Sequence, residues 1–197
     1  SGINAASFIS NERENTLYSH LMNVKWHNNK INIIDTPGFD DFIGEVVSSL
    51  KVADTAVILL NAASGVEVGT EIVWEYVQNY QTPAFFVINQ MDQPKADFET
   101  TLEQAVNRFG NKVIPIQYPY NSGEKFNSII DVLRMTMYVF PENGGKPEKM
   151  PIPASELEKA NALHNALVEA AAENEEGLME KYFEKGNLDE EELAKGL

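Results

Sequence analysis

Three apolar runs constrain this chain more than anything else in it: "INIID" (31–35), "TAVILLNA" (55–62) and "PAFFVINQ" (83–90). Each has the length of one strand and is apolar almost throughout. A strand of that kind is expected where helices cover both faces of a parallel sheet. Segments of helical spacing follow each run. "FIGEVVSSLKVA" places Phe42, Val46, Val47 and Leu50 on one stripe, and "VEVGTEIVWEYVQNY" does so with Ile72, Val73, Tyr76 and Val77. "DFETTLEQAVNRFG" opens on Asp97, a capping residue type, and closes on Gly110. The rhythm predicts an α/β fold with a mostly parallel sheet.

Either side of this block the pattern changes. "LYSHLMNVKW" (17–26) alternates imperfectly and meets 31–35 across the tight "HNNK" turn, so those two strands are expected to be antiparallel. "KVIPIQYPY" and "NSIIDVLRMTMYVF" read as strands with polar interruptions, and "PENGGKPEKMPIP" reads as a connector. A long acidic helix is expected from Ser155 to about Glu184, interrupted at "ENEEGL", and "LDEEELAKGL" predicts a short last helix with Asp189 near its start. Residues 1–112 are read as the main domain and 113–197 as a smaller α+β appendage.

Charge and cysteine content narrow the function classes. Acids outnumber bases by 30 to 15, and the net charge of -15 argues against DNA or any broad adhesion to nucleic acid. It leaves room for a partner that is partly RNA, touched locally. The excess is concentrated after residue 154. Without cysteine there are no disulfides and no thiolate metal sites, and a cytoplasmic location is expected. No apolar run reaches the roughly 18 residues of a membrane span. His20, His27 and His164 have no metal-ligand spacing.

Ligands of open parallel sheets bind beyond the carboxyl ends of the strands. Those ends are Asp35-Thr36-Pro37-Gly38, Asn61-Ala62 and Asn89-Gln90-Met91-Asp92. An Asp carboxylate accepts two parallel hydrogen bonds from the N–H groups on one edge of guanine, a pair that adenine lacks. Asn89 can brace such a loop through its amide. Asp35 suits a Mg²⁺ held through a water, and Gly38 leaves its backbone N–H open to a phosphate. Each motif in isolation also occurs at ordinary turns. Their order, each after an apolar strand, carries the argument.

"KINIIDTPGFDDF", "GVEVGTEIVWEYV", "FFVINQMDQPKADF", "IPIQYPYNSGEKFNSIIDVLRM" and "ENEEGLMEKYFEKG" together resemble translation elongation factor G, over nearly all the chain from about Glu12. The resemblance implies a P-loop NTPase-type sheet lacking its P-loop strand, followed by an inserted α+β subdomain. It implies GTP or GDP with Mg²⁺, and action on the ribosome, both ribosomal RNA and a stalk protein. It places Thr16 and Asp35 on the metal, Asp35 and Gly38 on the phosphate side, and Asn89, Gln90 and Asp92 on the guanine. It further implies a switch, in which bound nucleotide orders the Thr16 segment and the Gly38 turn, and a role in translocation. No membrane partner is implied.

Four departures stand out. Phe39 occupies the position of the family's water-orienting His, and a phenyl ring offers no such hydrogen bond. Gln90 replaces a Lys whose stem packs on the guanine face. Glu14-Asn15 replace Gly-Ile in the switch segment. No G-x-x-x-x-G-K-[ST] phosphate loop occurs anywhere in the sequence. Weakened GTP hydrolysis is therefore expected. Two other readings are a ribosomal protection or recycling factor and a non-hydrolysing ribosome-binding module.

Overall fold

The computed structural model describes residues 17–174, 176–185 and 188–197. Strands β1 (His20–Trp26) and β2 (Asn29–Asp35) lead through a 3-10 turn (Asp40–Phe42) to helix α1 (Ile43–Leu50). Then come β3 (Ala56–Asn61), α2 (Val68–Tyr80), β4 (Ala84–Asn89) and α3 (Phe98–Phe109). Four short strands follow: β5 (Gln117–Pro119), β6 (Ser128–Asp131), β7 (Thr136–Val139) and β8 (Glu148–Met150). Helices α4 (Leu157–Asn174), α5 (Glu176–Lys185) and α6 (Glu190–Gly196) complete the chain. The described residues divide into two compact units, 17–60 with Val66–Val87, and Asn61–Gly65 with those from Ile88 to Leu197.

In the first unit β1 and β2 are antiparallel, paired from His20 with Asp35 to Trp26 with Asn29. His27 takes the left-handed conformation that so short a turn demands (φ 48°). Strands β3 and β4 are hydrogen-bonded neighbours. The Ala56 N–H donates to the Pro83 carbonyl (2.8 Å) and the Ala62 N–H to the Asn89 carbonyl (3.0 Å). The sequence offset is the same at both ends, as only parallel strands allow, with α2 as the crossover. The α/β fold with parallel pairing is as the rhythm predicts.

One expectation fails. The apolar strands are not covered on both faces. Ala56, Ile58 and Leu60 of β3 are buried, but Val57 and Leu59 between them are 62% and 61% exposed. Phe85 and Val87 of β4 and Ile31 and Ile33 of β2 are exposed as well. Strand side chains alternate between faces, so burying one face leaves the other to whatever else can reach it. No element of the described residues does so. Nor do β2 and β3 pair with each other; they sit in separate two-stranded sheets.

The second unit holds an antiparallel sheet in the order β5-β6-β7-β8. Tyr118, Ile130, Val132, Met137 and Leu167 form one core cluster. Val168, Ala171, Leu178, Leu188 and Leu193 form a second, among the helices. The segment read as a connector contains β8, an exposed three-residue edge strand paired to β7. Its two charged residues in three, Glu148 and Lys149, hid it from a search for apolar alternation. The acidic helix is two helices, parted within "ENEEGL". Asp189 opens α6 with a capping box: it accepts from the Glu192 N–H, and Glu192 accepts from the Asp189 N–H.

Candidate functional site

The expected site residues fall into two groups, one in each unit. In the first unit Asp35 ends β2 and is exposed; Pro37 is buried and stops the strand from continuing. A Cβ added at Gly38 would meet nothing within 4 Å. The surroundings thus leave Gly38 open to close approach. Phe39 has extended backbone, and its carbonyl accepts from the Phe42 N–H (2.9 Å), which starts the 3-10 turn. Its ring is 54% exposed. Asp40 turns the other way: its Oδ1 lies 3.0 Å from where a Cβ at Gly69 would be, against the first turn of α2, where a negative charge is favoured.

Strand β1, whose first residue pairs with Asp35, is fastened just before its start. The Ser19 N–H donates to Glu45 of α1 (2.9 Å), and the Ser19 and Ser49 hydroxyls are 3.4 Å apart. The Ser19 N–H, and then its hydroxyl, hold the Glu45 carboxyl below its ordinary range. Thr16, expected at the metal, lies outside the described residues.

The second group is built on the loop after β4. Asn89 and Asp92 are exposed, and among the described residues neither forms an ion pair. Met91 between them is buried, and its carbonyl accepts from the Gly123 N–H (2.8 Å). Gln90 is left-handed (φ 61°), and its carbonyl accepts from the Gln93 N–H (3.1 Å). Its side-chain Oε1 accepts from Asn61 Nδ2 at 2.7 Å. Asn61 was not singled out as a site residue from the sequence. The one available signal was a polar residue ending an apolar strand.

Behind this loop, Ala62 receives two further bonds from the start of α3, from the Asp97 N–H (2.8 Å) and the Thr101 hydroxyl (3.3 Å). Asp97 caps α3 as expected, accepting from the Thr100 N–H (3.0 Å) and hydroxyl (2.8 Å). Chemically, the first group presents an exposed carboxylate beside an unobstructed glycine. The second presents an exposed carboxylate on a loop anchored at both sides. These are what a metal-linked phosphate and a guanine edge require. Among the described residues no three His, Asp or Glu side chains cluster as metal ligands. Mg²⁺ bound mostly by water and phosphate needs only one or two carboxylates.

The family described as the Elongation factor Tu GTP binding domain matches residues 6–188. Among solved structures, the crystal structure of a protein from Thermus thermophilus superposes with a TM-score of 0.86 at 28% sequence identity. The match covers 98% of this chain and 28% of that chain.

Proposed function

This chain belongs to the elongation factor Tu GTP-binding-domain family, and from that premise we propose that it is part of a translation factor of the elongation factor G type. On this reading it binds GTP and acts on the ribosome in translocation, in the cytoplasm, with hydrolysis weakened. Residues 1–112 form part of the nucleotide-binding domain, and 113–197 the inserted subdomain. The P-loop strand would come from sequence outside these residues; among the described residues β2 pairs only with β1 and β3 only with β4, which leaves each an edge that a further strand could join.

Asp35, with Thr16, would hold Mg²⁺; Gly38 would face the terminal phosphate; Asn89 and Asp92 would hold the guanine. The metal, when bound, offsets phosphate charge. The chain's own residues supply position rather than proton transfer. The observation carrying weakened hydrolysis is Phe39, a solvent-facing phenyl ring where the family has a water-orienting His. A placed polar group of that kind contributes about 10²–10⁴ in rate.

The test is ribosome-stimulated phosphate release by the intact protein, with Phe39→His beside it. Slow release that rises at least about a hundredfold in the variant supports the reading. Brisk release by the unmodified protein removes it. A non-hydrolysing ribosome-binding module is the second reading, favoured by Phe39 and by the commitment of Gln90 to Asn61. Equilibrium GTP binding by the intact protein separates the two.

A further inference from the structure

We propose that Asn61 is a positioning residue for base recognition, acting through Gln90 on the loop that presents Asp92. The inference rests on the guanine-reading assignment above.

Asn61 has no freedom to turn. Its Oδ1 accepts from the Ala63 N–H (2.8 Å) and the Ser64 N–H (3.2 Å). A carbonyl oxygen is needed on that side, so the amide nitrogen must face Gln90, to which it donates at 2.7 Å. Gln90 is held where its backbone needs holding, because a left-handed conformation is disfavoured for a residue with a Cβ. From there the loop is pinned again by the bond to Gln93 and by buried Met91. Asp92 therefore leaves a frame whose ends are both fixed. A carboxylate reading two N–H groups side by side depends on its angle, and that frame sets the angle.

The same bond has a second effect. With its Oε1 engaged by Asn61, Gln90 is drawn toward the end of β3. Base recognition then rests on the edge contact of Asp92, and its selectivity depends on how well the loop is held.

The readout is the affinity of the intact protein for guanosine diphosphate relative to inosine diphosphate, by competition with a fluorescent nucleotide. Inosine lacks the 2-amino group that Asp92 accepts from, so the ratio reports the aim of the carboxylate. Asn61→Leu, of nearly the same shape, cannot donate to Gln90; an Asp alone would not serve, because Gln90 could turn its amide and donate to the carboxylate. Asn61→Leu should lower the ratio about three- to tenfold, the worth of one lost hydrogen bond. Gln90→Met, of similar length and with no acceptor oxygen, should do the same without touching Asn61. The double variant Asn61→Asp, Gln90→Lys rebuilds the link as an ion pair and should restore the ratio. An unchanged ratio in both single variants, or an equal loss of both affinities, overturns the role of Asn61. Asp92→Ala tests the premise separately: if guanine preference survives it, the base-reading assignment falls, whatever Asn61 does.

Discussion

Asp97 caps α3 with both carboxylate oxygens, one on the Thr100 N–H and one on its hydroxyl. These bonds, the backbone one first, hold the carboxyl below its ordinary range. A depressed value fixes the sign. The contribution is whole above the ordinary Asp value of about 4 and is lost as pH falls through the lower folded-state value. Asp97→Asn, still a good cap, removes that titration. Urea midpoints measured from neutral pH into acid should fall less steeply for the variant. At this scale the sequence was most informative. The strand ends at Asp35 and Asn89 were legible, because a polar residue closing an apolar run is a local signal. The Asn61–Gln90 bond was not, because it joins residues 29 apart whose meeting depends on two strands lying parallel. Asp131 illustrates the same limit. It is buried at 2% exposure, held by the Arg134 N–H and guanidinium, and Arg134 goes on to pair with Glu190 at the start of α6. Burial and that fold-back link are tertiary facts.

Helix α6 seats against α4 through a glycine. A Cβ at Gly196 would lie 2.6 Å from the Ala171 carbonyl oxygen and 2.8 Å from the Leu178 side chain. Gly196→Ala should therefore destabilise the second unit by about 1–3 kcal/mol, read from urea unfolding, since backbone cannot move aside as a side-chain tip can. Ile130, fully buried in β6, sits at the centre of the sheet cluster. Ile130→Ala should cost about 2–5 kcal/mol in the same assay. Elements with a strong period, α1, α2 and α3, were legible to within three residues at their ends, the largest miss being α1, which stops at Leu50 rather than Ala53. Strand β8 was not, because two of its three residues are charged and its stability comes from pairing with β7.

Across the whole molecule the acidic excess collects on the last helices. If the insertion meets a ribosomal stalk protein, reversing charge there should weaken recruitment. The contacts of each acidic residue decide which to reverse. Glu156 accepts from the buried Tyr118 hydroxyl (3.2 Å), while Lys159 lies over the Tyr118 ring (4.4 Å) and pairs with Glu99. Burial, then the charge of Glu156, pushes the Tyr118 phenol above its ordinary value. Reversing Glu156 would disturb that packing as well as the surface. Glu158 lies in the first turn of α4, where its charge supports the helix, whereas Glu169 and Glu173 are exposed and further along it. Glu169→Lys with Glu173→Lys should reduce co-sedimentation with stalk-bearing ribosomes without lowering the unfolding midpoint. Undiminished recruitment would leave the acidic helices as a solvated surface.

Val57, Leu59, Phe85 and Val87 have a practical consequence for anyone who prepares these 197 residues as a separate polypeptide. Oily side chains standing in a row on neighbouring strands invite whatever else is oily. Purified this way, the polypeptide should light up an environment-sensitive dye while still folded, and grow turbid as it is concentrated. Lysine at positions 57 and 59 should quench both behaviours.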